Sequence, residues 1–271
     1  MGDLAALRSS LSELDRVVVA FSGGADSSLL AWVANDTLGS ERVLCVTALS
    51  PSLARQEEVE CRSLATEWGL RWRGIPTGEM EDAGYVTNGS DRCAHCKGAL
   101  MDVLVPLAGS SGSVVVLGVN LDDLGDHRPG QAVAMGRGAR FPLVDAGFTK
   151  SDVRASSKHL GLRTWDKPAA ACLASRIPYG TPVTVGRLRS VDLAESGLRD
   201  LGLRQVRVRH HGTTARIEVP DEDLARVLEL RAAIVERLRA VGFDHVAMDL
   251  EGYRPGSLNR SLAGSSEAAP S

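Results

Sequence analysis

Strand-forming and helix-forming patterns alternate along the first half of the chain. Short runs of strand-forming residues at 17–21, 43–49, 71–75 and 114–118 are bounded by turn residues and predict buried strands. Between them, residues 28–36, 53–69 and 93–107 carry longer patterns of helical period. Strands alternating with helices predict an α/β fold, a parallel sheet with helices on both faces. Residues 119–148, rich in Gly, Asp and Pro, predict loops close to a ligand site, and Ser151 to Leu160 predicts a helix.

The pattern changes after Trp165. Residues 187–202 read as a helix. Arg204 to Arg209 then alternates, with Val206 and Val208 apolar and Arg207 and Arg209 charged. The turn His210-His211-Gly212-Thr213 follows, and Arg216 to Val219 alternates again. A hairpin with one core face and one charged face is predicted, completed by a helix at about 221–240 and a strand at 244–250. Two domains are therefore expected, an α/β domain over 1–165 and a small α+β domain over 166–255. The Ser-, Ala- and Gly-rich stretch Gly256–Ser271 is expected to be a disordered tail.

Composition narrows the class. The 271 residues are 44% hydrophobic and carry a net charge of −3, with no segregated basic tract, which argues against nucleic acid as a main partner. No run reaches the roughly 18 apolar residues of a membrane span, and Met1 to Arg16 does not have the form of a secretory signal. Five cysteines, an odd number, point to a reducing cytoplasm and to thiol or metal chemistry rather than a disulfide framework.

The strand at 17–21 runs into Ser22-Gly23-Gly24-Ala25-Asp26-Ser27. Gly23 and Gly24 allow close backbone approach to an anion, Ser22 and Ser27 add hydroxyl donors, and the following helix (Ser28 to about Asn35) directs its positive end there. The ordinary nucleoside-triphosphate loop needs Lys-Ser/Thr after its last glycine. Asp26 replaces that lysine, which suits a loop holding pyrophosphate with Mg2+ and leaving the α-phosphorus open to attack.

Other residues have competing readings. Cys172 is followed by Ser175 and Arg176, and a nearby cation favours thiolate, but its small apolar neighbours equally suit a buried cysteine. Cys93-Ala94-His95-Cys96 is a lone Cys-x-x-Cys that fits a redox pair, half a zinc site, an iron–sulfur ligand pair or none of these. Cys45 and Cys61 read as core residues. Asp122, Asp123 and Asp126 follow a strand end, where acids bind Mg2+ or ribose, or simply form a solvated turn. Arg207, Arg209, Arg216 and Glu218 share one strand face, which is either solvated or answered by an anion.

The loop resembles that of the PP-loop ATP pyrophosphatases, of HUP-like fold. The resemblance to one branch, the LarE family, extends over about residues 15–220. Asp91-Arg92-Cys93-Ala94-His95-Cys96-Lys97 carries it, as do Gly118 to Asp123 and Asp126 to Gly130. So do Trp165 to Pro168, Cys172 to Arg176, Arg207 to Arg209 and Ala215 to Glu218. It implies an ATP-dependent sulfur transferase of nickel-pincer cofactor biosynthesis. Such an enzyme adenylylates a carboxylate of pyridinium-3,5-biscarboxylic acid mononucleotide and replaces AMP with sulfur. It further implies Ser22, Gly23, Gly24, Asp26, Ser27 and Asp123 as the ATP and pyrophosphate site with Mg2+, and Cys172 and Asp26 as catalytic. Ser175, Arg176, Arg207 and Arg209 would bind the substrate phosphate, with Glu195 and Glu218 nearby. The sulfur is expected from a sulfide on a [4Fe-4S] cluster held by Cys93, Cys96 and Cys172, with Cys172 itself, converted to dehydroalanine, as the second route. A homo-oligomer is also implied. An amide-forming ligase like NAD or GMP synthetase, or a tRNA-thiolating enzyme, is the alternative.

Overall fold

A computed structural model describes residues 2–124, 129–168 and 171–254. The expectations for Asp126, His127, Arg128 and the tail Gly256–Ser271 fall outside these residues. The chain divides into two compact units, Met1–Ala170 and Ala171–Ser271.

The first unit is built on four parallel strands, β1 (Val17–Ala20), β2 (Val43–Leu49), β3 (Trp72–Pro76) and β4 (Val114–Leu117), in the order β3-β2-β1-β4. β1 is apolar throughout because both its faces are covered. Val17 and Val19 enter one core with Leu29, Leu30 and Phe148, and Val18 enters the other with Met101, Leu104 and Phe141. Helices α1 (Leu4–Ser12), α2 (Ala25–Leu38) and α3 (Arg55–Glu67) join the first core, and α4 (Arg92–Ser110) and α5 (Pro129–Gly136) join the second. Helix α6 (Lys150–His159) is started by a capping box between Thr149 and Asp152.

Two sequence expectations need correction in this unit. Helix α2 begins at Ala25, three residues before the predicted Ser28, directly after the glycines. Residues 119–148 are not all loop, since they hold short helices Leu121–Leu124, Pro129–Gly136 and Pro142–Asp145. Each is too short to display a helical period, and two open on a proline, a residue suited to a first helical position.

The second unit is a three-stranded sheet, β5 (Arg207–His211), β6 (Thr214–Glu218) and β7 (His245–Met248), in that order. β5 and β6 form an antiparallel hairpin, and β7 returns parallel to β6. Helices α7 (Val185–Asp200), α8 (Leu224–Glu229) and α9 (Arg231–Ala240) contribute Leu198, Val227, Ile234 and Leu238 to a core with Val208 and Ile217. The predicted helix 221–240 is broken at Leu230, and the bend keeps Val227, Leu230 and Ile234 all against the sheet. His210 and His211 belong to β5 rather than the turn, which is Gly212-Thr213 with Gly212 at φ 62°. His210 is drawn into the strand by packing edge-on against Phe243, ring centroids 5.3 Å apart. Among the described residues, no helix is long and apolar enough to cross a membrane.

Candidate active site

In the first unit the chain order 1-2-3 runs outward from β1, and β4 then pairs with the opposite edge of β1. Ligands of such sheets bind beyond the strand ends where the order reverses. Ser22–Ser27 leaves β1 at that point. Gly23 has φ 69°, and a Cβ there would also stand 2.9 Å from the Cys61 sulfur, so only glycine fits without strain. Gly24 caps α2 without a side chain. The Ser27 hydroxyl donates to the Gly24 carbonyl at 3.2 Å and accepts from the Ser22 amide at 3.2 Å, which folds the loop over the helix start.

Asp26 projects from the first turn of α2 between two partners that the sequence reading did not single out. Lys150, at the start of α6, reaches its Oδ2 at 2.5 Å, and the Asn120 amide donates to Oδ1 at 3.0 Å. Asp122 accepts from the Lys150 amide at 2.7 Å, while Asp123 accepts from the Asn120 amide at 3.2 Å. The acids after β4 therefore organise the segment facing Asp26. Lys167 bridges the Gly23 carbonyl (3.1 Å) and Glu57 (2.6 Å). Gly118 makes this convergence possible, since a Cβ there would lie 2.7 Å from the Ser27 nitrogen. The root of the loop is held as well. Thr47 donates to the Phe21 carbonyl at 2.7 Å and accepts from the Trp72 indole at 2.8 Å.

The loop can receive phosphates from the Ser22–Ser27 amides and hydroxyls, the Lys150 ammonium and the helix end. Mg2+ is commonly held by one or two carboxylates plus substrate phosphates, and Asp26 and Asp123 are of the right chemistry for it.

The cysteines separate into two groups. Cys45 and Cys61 are buried, and burial pushes their thiols up to about 12 and about 11. Cys93 and Cys172 are exposed and Cys96 is half-buried. His95, between Cys93 and Cys96, bonds Asp82 at 2.8 Å, which raises its pKa. Burial lowers the pKa of Lys97, with Cys96 and Cys93 opposing. Among the described residues, no group of three or more His, Cys, Asp or Glu side chains is gathered for a metal ion. Cys93 and Cys96 belong to the first unit and Cys172 to the second, and nothing among the described residues supports the cluster expected on them.

In the second unit the charged face of the hairpin is an arginine–glutamate network. Glu195, fully buried on α7, accepts from Arg176 Nε (2.8 Å) and Nη2 (3.2 Å), Arg199 (2.9 Å) and the Val208 amide (3.1 Å). Glu218 accepts both arms of Arg209 at 2.8 and 2.9 Å and Arg216 at 3.2 Å. The segment bearing Cys172 is tied to these arginines. Arg176 Nη1 donates to the Ala171 and Cys172 carbonyls at 2.8 and 3.3 Å and to the Ser175 hydroxyl at 2.9 Å, and Arg209 donates to the Ser175 carbonyl at 2.6 Å. Acids thus answer Arg176, Arg209 and Arg216. Arg207 is different. Its guanidinium is buried over the Tyr253 ring, 4.4 Å from the centroid, and burial followed by Arg176 holds its pKa below the ordinary arginine value.

The parallel sheet, the Ser-Gly-Gly loop and the acid in place of the usual lysine define a PP-loop domain of the ATP-using class. The NAD synthase family profile matches residues 5–89. The chain is 45% identical over 259 residues to the uncharacterized Synechocystis protein slr1717, covering 94% of this chain and 96% of that protein. It is 38% identical over 259 residues to the pyridinium-3,5-bisthiocarboxylic acid mononucleotide synthase of Lactiplantibacillus plantarum, covering 95% and 94%. A Methanocaldococcus jannaschii protein, MJ0830, is 26% identical over 240 residues, covering 88% of this chain and 91% of its own length. The chain belongs to the LarE family, that of the pyridinium-3,5-bisthiocarboxylic acid mononucleotide synthase.

Proposed function

We propose that this protein is an ATP-dependent sulfur transferase of nickel-pincer nucleotide synthesis, acting on pyridinium-3,5-biscarboxylic acid mononucleotide. The observation that carries the reading is the second unit's fixed arginine cluster, wired through main-chain carbonyls to the segment bearing an exposed Cys172. An arginine cluster bonded to the segment that carries a thiol suits a phosphate-bearing nucleotide that is to receive sulfur.

Ser22, Gly23, Gly24, Ser27 and Lys150 bind the β- and γ-phosphates of ATP. Asp26 and Asp123 would hold Mg2+, which would supply charge neutralisation for the leaving pyrophosphate. A substrate carboxylate oxygen attacks the α-phosphorus, the bond to the β-phosphate oxygen breaks, and pyrophosphate leaves. Arg176, Arg207, Arg209 and Ser175 hold the substrate phosphate. The Cys172 sulfur then attacks the acyl carbon and displaces AMP, giving a thioester. Loss of the Cα proton to water then forms the Cα=Cβ bond and breaks the Cβ–S bond, whose electron pair leaves with the thiocarboxylate anion, so that dehydroalanine remains at 172.

The test supplies ATP, Mg2+ and the mononucleotide. Expected are AMP, pyrophosphate, the thiocarboxylate product and a protein lighter by about 34 Da, the mass of one hydrogen sulfide, at position 172. Cys172→Ala should retain ATP–pyrophosphate exchange and lose sulfur transfer. Multiple turnovers by an iron-containing, mass-intact protein would replace self-sacrifice with cluster delivery. Amide formation from ammonia with Cys172→Ala fully active would assign an amide ligase instead.

A further inference from the structure

Arg207 lies opposite Glu218 in the hairpin register, yet the Glu218 carboxylate is occupied by Arg209 and Arg216. Among the described residues, no acid or other acceptor lies within hydrogen-bond or ion-pair distance of the Arg207 guanidinium. A buried guanidinium without an acid is costly, and a ring face compensates only in part. Arg207 Cζ lies over the Tyr253 ring, 4.4 Å from its centroid. A ring on one side of a guanidinium leaves the N–H groups that point away from it available, and a guanidinium fork fits two phosphate oxygens.

Tyr253 is far from the motifs in sequence, but its place is tightly determined. Beyond β7, the Asp249 amide donates to the Ile217 carbonyl at 2.9 Å and the Tyr253 amide to the Val219 carbonyl at 2.8 Å. Gly252, between them, has φ 69°, and a Cβ there would stand 2.7 Å from Asp221 Oδ1 and 3.0 Å from the Val219 carbonyl oxygen. The segment is thereby fastened to the end of β6, and the ring has a fixed seat.

We propose that Tyr253 is a positioning residue for the phosphate monoester of the substrate, seating the Arg207 guanidinium over its ring so that the remaining N–H groups meet the phosphate. The inference rests on the reading of Arg207 as a phosphate ligand given above.

The test is equilibrium binding of the biscarboxylate mononucleotide and of its phosphate-free riboside to the full chain and to Arg207→Ala, Tyr253→Ala, Tyr253→Leu and Tyr253→Phe. Arg207→Ala should weaken mononucleotide binding at least about 10-fold. Tyr253→Ala and Tyr253→Leu should each weaken it about 5- to 10-fold, while Tyr253→Phe, which keeps the ring, should stay within about twofold. Riboside affinity should move less than about twofold throughout, and Arg207→Ala combined with Tyr253→Ala should be no weaker than Arg207→Ala alone. Normal binding by Tyr253→Ala and Tyr253→Leu alongside a weakened Arg207→Ala would overturn the role of Tyr253. Equal losses for riboside and mononucleotide would also overturn it, as would failure of Tyr253→Phe to rescue. Normal binding by Arg207→Ala would instead overturn the phosphate reading beneath it.

Discussion

Replacing Glu195 with alanine tests the arginine network most directly. The carboxylate is fully buried and accepts four hydrogen bonds, from Arg176 (twice), Arg199 and the Val208 amide. Its loss leaves Arg176, 5% exposed, as a buried cation without its acid. Breaking such a pair from one side costs about 3–5 kcal/mol. The orphaned Val208 amide is itself worth roughly 1–3 kcal/mol, not additive with the first figure. Arg199 is partly exposed and contributes little. A net loss of about 4 kcal/mol is a large share of the 5–15 kcal/mol by which domains are stable, and alanine's helix propensity cannot be blamed for it. Native-state hydrogen exchange with mass spectrometry reads the effect locally. Peptides covering β5 should exchange about 1,000-fold faster, since each 1.4 kcal/mol is tenfold, while those covering β1 should be unchanged. Glu195→Gln, retaining shape and one acceptor oxygen, should fall between. A change in β5 of less than about threefold in Glu195→Ala would refute the view that this carboxylate organises the cluster.

Four further outcomes follow. Gly118→Ala would press a methyl onto the Ser27 backbone (2.7 Å to its nitrogen); backbone cannot yield as a side chain does, so a loss of about 1–3 kcal/mol is expected in denaturant melts, together with weaker ATP binding. Brief alkylation of the native protein should modify Cys172 and Cys93 and spare Cys45 and Cys61, whose buried thiols are raised to about 12 and about 11; peptide mapping that finds Cys45 labelled first would contradict this. Asp26→Asn should lower ATP–pyrophosphate exchange about 100-fold and Lys150→Ala about 10-fold, as expected for charged groups on the transferring phosphates. Hydrogen bonds from Thr149 hold the Asp152 carboxyl down to about 2. Its folded pKa lies below the ordinary value of about 3.9, so its stabilising effect is complete above about pH 4 and disappears as pH falls toward 2. Thermal melts of Asp152→Asn should accordingly differ from the parent at pH 6 and converge with it near pH 2.

The sheet was readable because its strands are short apolar runs punctuated by turns, and the PP-loop family because glycine, serine and aspartate at that spacing have few other uses. What escaped was set by tertiary contact. His210 looks like a turn residue until Phe243 packs against it. Lys150 lies 124 residues from Asp26 and Lys167 lies 144 from Gly23, so no local pattern connects them. One signal was available. Lysine occurs only four times in this arginine-rich chain, and two of the four serve the loop, where a compact ammonium fits better than a planar fork. Tyr253 carried no motif at all, since its meaning depends on the hairpin register that buries Arg207.

The Thr47 bridge gives the nucleotide loop a built-in optical gauge. Indole emission responds to the partner of its N–H, and the Trp72 indole is bonded through one hydroxyl to the carbonyl of Phe21, the residue before the loop. A tightening of the glycine bend that moved the Phe21 carbonyl would be expected to reach the indole through this hydroxyl. If the loop binds ATP, tryptophan emission should change on mixing with ATP and Mg2+ in a stopped-flow instrument, and Thr47→Val, which cuts the relay, should remove the Trp72 part of that change.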